Sequence, residues 1–239
     1  MKIISKIKIH PLFYFVAVIC ILTGFFKYFI FLFIIILIHE LGHILTALFF
    51  DWNIKKIVIL PFGGITIFED KINRSMAEEF LIAIMGPIFQ LFLFFIKNKL
   101  FFNINLFILL FNLIPIFPLD GSKILNVGLN YLFPFKKSHI ISIIISLTNI
   151  ITIILLLKFN LVLITIFLFL ILKTFKEIKY HSYLFNKFLF ERYLYNFDFK
   201  KSKIIKNEYQ MKRDYKHLFF IQNRYQTEKQ YLSNLFDNY

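Results

Sequence analysis

Apolar and polar positions along the 239-residue chain fall into long blocks rather than the short alternations of a water-soluble fold. Six apolar runs stand out, at Pro11–Phe26, Phe29–Phe50, Phe80–Ile96, Leu100–Phe117, Ile140–Leu157 and Leu161–Phe175. A bilayer core about 30 Å thick takes about 20 helical residues to cross, so the first and last runs need help from their flanks. The pattern predicts an all-α polytopic membrane protein of about six transmembrane helices. Between the second and third runs the period changes. Ile54–Leu60 and Ile65–Phe68 flank Pro61-Phe62-Gly63-Gly64, which reads as a small β-hairpin or re-entrant element.

Composition agrees: 59% of residues are hydrophobic and 35 are Phe, more apolar side chain than a soluble domain of this length can bury. The net charge of +14 reads as membrane topology. With the N-terminus in the cytoplasm, ten basic residues fall in the inner short segments (Lys2, Lys6, Lys8, Lys55, Lys56, Lys71, Arg74, Lys123, Lys136, Lys137) and four in the outer ones (Lys27, Lys97, Lys99, Lys158). That bias favours both termini inside. The start is basic, but no small-residue cleavage site follows the apolar stretch, so it does not read as a cleavable signal. The chain divides into a membrane core, 1–175, and a basic, aromatic-rich cytoplasmic tail, 176–239. The tail has two readings, a solvated, partly helical juxtamembrane segment or a surface that docks on anionic lipid or a protein substrate, and in either it is expected to stand apart from the chemical step. No RNA-binding motif accompanies its aromatics, so no nucleic-acid partner is expected.

The second run contains His39-Glu40-Leu41-Gly42-His43. An acidic side chain at mid-membrane costs on the order of 2.5–3.5 kcal/mol, so these residues need a compensating partner. His39 and His43 are four apart and project from one helical face, able to share a metal ion. Glu40 lies about 100° further round the helix, placed to reach a water without ligating. Two zinc ligands and a general base have this spacing. A catalytic zinc takes a third protein ligand, and the acidic candidates are Glu69, Asp70, Glu78, Glu79 and Asp120. Asp120 closes Asn112-Leu-Ile-Pro115-Ile-Phe-Pro118-Leu-Asp120-Gly121, where two prolines and a glycine break the helix at membrane depth. Non-helical backbone there has to be buried in protein or to line a cavity, so Asp120 is presented by an unwound segment facing a site.

H-E-L-G-H in one span with N-x-x-P-x-x-P-x-D-G closing a later one resembles the site-2 family of intramembrane zinc metalloproteases, and within it the sporulation branch. Ile9-His10-Pro11, Leu60-Pro61-Phe62-Gly63-Gly64 and Ala83-Ile84-Met85-Gly86-Pro87 add to the likeness, which covers about residues 8–175. The resemblance implies one zinc ion held by His39, His43 and Asp120, with Glu40 as catalytic acid and base. It places Asn112, Gly63, Gly64, Pro115 and Pro118 on the substrate side. It also implies a membrane-associated protein substrate, best guessed as a sporulation sigma factor precursor, an inhibitory membrane partner, and an active site opening toward the cytoplasm. The turn departs from the family at Ser122-Lys123. The 67 residues from Lys173 have no room for the branch's paired nucleotide-sensing repeats.

Smaller features complete the reading. Gln90, Thr148 and Asn149 suit interhelical hydrogen bonds, and Trp52 an interfacial anchor. His10 reads as an interfacial histidine. The hairpin offers an edge strand to an extended substrate. Two readings compete with the sporulation protease: another site-2 protease, acting on an anti-sigma factor or signal-peptide remnant, and a non-catalytic metal-binding scaffold or transporter. A scaffold has no use for Glu40.

Overall fold

The computed structural model describes residues 6–60, 63–69, 72–156 and 161–237. The chain divides into two compact units, Met1–Asp70 with Glu78–Leu113, and Lys71–Ala77 with Ile114–Tyr239.

The first unit begins with β1 (Ile7–Ile9) and α1 (Pro11–Leu22), followed by α2 (Phe26–Phe49), β2 (Ile54–Leu60), β3 (Gly63–Phe68), α3 (Met76–Leu91) and α4 (Lys99–Leu113). Gly24, at φ +78°, ends the first apolar stretch in the left-handed region that glycine tolerates, and the chain restarts as α2. At 24 residues, α2 is about 36 Å long, enough to cross a bilayer. β2 and β3 form the expected antiparallel hairpin with Leu60 opposite Gly63; its tip, Pro61-Phe62, lies outside the described residues. The sequence pattern did not disclose a third strand: Ile7-Lys8-Ile9 pairs in parallel with Ile57–Ile59, giving the order β1-β2-β3. Ile35, Phe101 and Ile108 pack α2 against α4. Ala47, Trp52 and Ile82 seal the end of α2 with help from Phe68.

The second unit holds α5 (Asp120–Leu132), α6 (Phe135–Leu156), α7 (Leu161–Leu194), β4 (Lys201–Ile205), β5 (Tyr215–Ile221), β6 (Arg224–Thr227) and α8 (Glu228–Asp237). The strands form a second sheet, β4-β5-β6. β4 runs parallel to β5, and β6 antiparallel to it across Gln222-Asn223. Those two residues have φ of 49° and 58°, the paired positive values of a tight hairpin turn. Phe135, Phe188, Leu189, Ile205, Met211, Phe219 and Leu232 make one buried cluster. The stretch expected as a solvated segment therefore takes part in a folded core, which it shares with Phe135 of α6.

The six apolar runs largely coincide with helices. Among the described residues three helices are long and apolar enough to cross a membrane, Phe26–Phe49, Met76–Phe95 and Phe135–Leu156, and Phe13–Leu22 and Lys99–Leu113 are shorter. The sixth run opens a 34-residue helix, α7, that continues past the apolar stretch. The protein is mostly helical rather than all-α, because it carries two three-stranded sheets. Large apolar side chains face outward, Phe49 at 79% and Phe95 at 82% exposure among them, as a lipid-facing surface requires.

Candidate active site

The second half of α2 carries three buried ionisable side chains, His39, Glu40 and His43. The two imidazoles lie on one face with centroids 4.9 Å apart. Nδ1 of His43 is 2.7 Å from the backbone carbonyl oxygen of Ile82. A carbonyl only accepts, so this Nδ1 carries the proton and donates. Nδ1 of His39 donates in the same way to Oε1 of Gln90, 2.8 Å away. A neutral imidazole protonated on Nδ1 has its lone pair on Nε2. The two Nε2 atoms stand 3.2 Å apart, and with both protons on Nδ1 this approach is a convergence of lone pairs. At 3.2 Å the two nitrogens stand close enough together to bind one zinc ion, whose bonds to imidazole nitrogen are about 2.0–2.1 Å. Donor type, tautomer and spacing all fit that ion.

Glu40 is turned toward the hairpin. Its Oε1 accepts from the backbone N–H of Gly64 at 3.1 Å, and its Oε2 from the hydroxyl of Thr66 at 3.1 Å. Two close approaches at the site depend on bare backbone. A Cβ on Gly64 would run into the Glu40 carboxyl group, and one on Gly86 would run into the His43 imidazole. The family-like Gly63-Gly64 and Gly86-Pro87 pairs thus each contribute a glycine to close packing around the α2 triad.

Asn112 is buried in the last turn of α4. In the second unit, the segment that follows α4 makes the expected break, with Pro118 following a cis peptide bond. The break is held by polar groups: Phe117 N–H donates to Ser146 Oγ at 2.9 Å, and Phe117 O accepts from Thr174 Oγ1 at 3.4 Å. Asp120 is the first residue of α5 and is buried. Lys123 donates to its Oδ1 at 2.8 Å, so the residue that departs from the family pattern neutralises the buried carboxylate. Of the other acidic candidates, Glu78 accepts the Trp52 indole N–H at 2.7 Å, Glu69 is exposed, and Asp70 lies outside the described residues.

Several sequence expectations need correction. Trp52, expected at the membrane surface, is buried at 9% exposure with its indole N–H on Glu78. Asn149 and Thr148 bond back to Ile145 O on their own helix, whereas Gln90 does bridge helices. Thr66, the Ile82 carbonyl and the Gln90–His39 contact were missed. Only Gln90, a lone amide in an apolar run, left any trace in the sequence.

Comparisons with known proteins agree with this geometry. The model of Peptidase family M50 matches residues 27–103. The chain is 35% identical over 210 residues to Stage IV sporulation protein FB of Bacillus subtilis, covering 81% of this chain and 73% of that one. It is 36% identical to Zinc metalloprotease MJ0392 of Methanocaldococcus jannaschii over 59% of this chain and 46% of the relative. Among solved structures, the Site-2 Protease from Methanocaldococcus jannaschii matches with a TM-score of 0.57 at 28% identity, over 72% of this chain and 89% of that one. A buried H-E-x-x-H helix with converging imidazoles, and a relative matched over most of both chains, lead to one conclusion: the chain belongs to peptidase family M50, the intramembrane zinc metalloproteases of the site-2 type.

Proposed function

We propose that this protein hydrolyses a peptide bond within or beside the membrane in a membrane-associated sporulation sigma factor precursor, with His39, His43 and Asp120 as zinc ligands and Glu40 as the acid and base. The observation that carries the reading is the pair of Nε2 atoms converging at 3.2 Å next to a carboxylate held by the hairpin. All three ligand candidates are buried, as donors to a shielded cation need to be. Zinc held by these residues would polarise the scissile carbonyl and lower the pKa of water toward about 7. Glu40 accepts the proton of the attacking water on a carboxylate oxygen and returns it to the leaving amine. Gly64 and Thr66 keep the carboxylate in one orientation for both transfers. A helical peptide bond is shielded, so the substrate has to be held extended. β3, the edge strand of its sheet, offers a ladder for that, with Gly63, Asn112, Pro115 and Pro118 on the substrate side.

The sporulation substrate rests on the likeness to Stage IV sporulation protein FB. Six crossings, cytoplasmic termini, a site opening toward the cytoplasm, the division at 175/176 and an inhibitory membrane partner complete the proposal. The ligand set is tested by metal analysis of purified full-length variants. Asp120→Ala should lose zinc, while Glu78→Ala, which removes the acceptor of the Trp52 indole, should keep it. Full zinc occupancy in Asp120→Ala would move the third ligand elsewhere.

A further inference from the structure

Behind His39 stand two buried amides that the chemistry above leaves unused, Gln90 on α3 and Asn105 on α4, both fully buried. We infer that Gln90, locked by Asn105, is a positioning residue that sets the tautomer of His39 and thereby its affinity for zinc. The inference rests on the zinc-site reading of the His39–His43 pair.

An amide side chain has one accepting and one donating end, and rotation by half a turn exchanges them. A Gln beside a histidine can therefore impose either tautomer, unless something fixes its orientation. Here the backbone does so. The NH2 group of Gln90 donates to the main-chain carbonyl of Asn105 at 2.8 Å and to its Oδ1 at 3.0 Å. Asn105 in turn donates from Nδ2 to the main-chain carbonyl of Gln90 at 3.4 Å. Both carbonyls can only accept, so neither amide can turn without setting acceptor against acceptor in a dry interior, a penalty of about 1–3 kcal/mol. With its NH2 committed to Asn105, Gln90 presents Oε1 to His39, and Oε1 accepts from Nδ1 at 2.8 Å. The order of dependence runs from the α4 main chain through Gln90 to the lone pair on Nε2 of His39. His43 reaches the same tautomer by a shorter route, directly from the Ile82 carbonyl. Outer partners of this kind typically change metal affinity about 10–100-fold when removed.

The test uses the purified full chain in detergent. Zinc affinity is measured by competition with a chromophoric chelator for the parent, for Gln90→Met, which keeps length and loses the acceptor, and for Gln90→Glu, which keeps an acceptor toward His39. We expect Gln90→Met to bind zinc about 10–100-fold more weakly, and Gln90→Glu to stay near the parent. Equal losses in the two variants, or parent-like affinity in Gln90→Met, would overturn the inference. A parent that binds no zinc would instead sink the zinc-site reading itself. An independent measurement needs no variant: 15N-histidine NMR of the zinc-free parent should find His39 protonated on Nδ1. Finding it protonated on Nε2 would overturn the inference even if Gln90→Met does not fold.

Discussion

At the scale of single residues, the site depends on atoms that are absent as well as on those present. His43 fits because residue 86 has no Cβ. Gly86→Ala should displace the imidazole and lower zinc content in metal analysis of the purified protein. Gly128, in α5, gives a matched control, since a Cβ there meets nothing within 4 Å. Gly128→Ala should leave zinc unchanged and stabilise the helix by about 0.5–1 kcal/mol, visible as a small rise in Tm. Equal zinc content in the two variants would mean that His43 tolerates displacement. The candidate site residues on α2 were legible in the sequence, because three ionisable side chains inside an apolar run admit few explanations. Their supports were not. The Ile82 carbonyl is a backbone atom that any residue supplies, and Thr66 is an ordinary strand residue until the hairpin folds onto α2.

At the scale of elements, β3 acts as a holder for Glu40. Thr66→Val keeps the β-branched shape and removes the hydroxyl that donates to Oε2. Losing one such bond costs about 1 kcal/mol, so cleavage should slow several-fold while zinc content stays at the parent level. Unchanged turnover would show that Gly64 alone orients the carboxylate. The hairpin was readable from the Gly-Gly turn and the β-branched runs beside it. β1 was not, since three residues next to a chain start carry no periodic signal. The second sheet was also hidden, because frequent Lys, Tyr and Phe between Lys200 and Thr227 mimic a solvated segment. Only the folded chain separates their faces: His217 and Phe219 turn inward while Lys216, Leu218 and Phe220 turn outward.

The interior of that sheet makes its stability pH-dependent. His217 Nδ1 donates to Glu228 Oε1 at 2.7 Å, and its Nε2 accepts from Lys212 N–H at 3.1 Å. Burial holds the imidazole below its ordinary value of 6.5, and protonation of Nε2 would break the Lys212 bond. Burial alone would raise the Glu228 carboxyl, but His217 and Arg192 together hold it below the usual 4.5. Both groups therefore bind protons more readily in the unfolded chain. Their stabilisation is full above about pH 6.5 and falls as acid is added, first through His217 and then, below about pH 4.5, through Glu228. Denaturant midpoints followed by near-UV circular dichroism should decline from pH 7 to pH 5 in the parent, and less steeply in His217→Gln. A decline of the same slope in both would rule out His217 as its source.

At the scale of the whole molecule, the C-terminal fold is joined to the connector between β3 and α3. Asn73 accepts from Arg192 Nε at 2.7 Å and donates to the Phe188 carbonyl at 3.0 Å. Its main-chain N–H donates to Glu191 at 3.1 Å. Arg192 itself is 4% exposed and paired with Glu228. A tail that only docks substrate, as the sequence suggests, would on truncation before Lys187 raise KM for a protein substrate and leave kcat on a short peptide alone. These contacts lead to a different expectation. The cut removes Phe188, Glu191 and Arg192, leaves the connector without its partners, and should lower both Tm and turnover of the short peptide. Parent-like kcat on that peptide would restore the docking role as sufficient.

The central claim is that α2 carries a hydrolytic zinc site with Glu40 as its proton carrier. The most direct measurement compares the parent with Glu40→Gln, purified at full length, for zinc content and for cleavage of a membrane-embedded precursor substrate. Gln keeps the size and an acceptor for Gly64 but cannot take up the water's proton. Zinc content near the parent with cleavage abolished is the predicted result. Residual cleavage above a few per cent at full zinc content would contradict it.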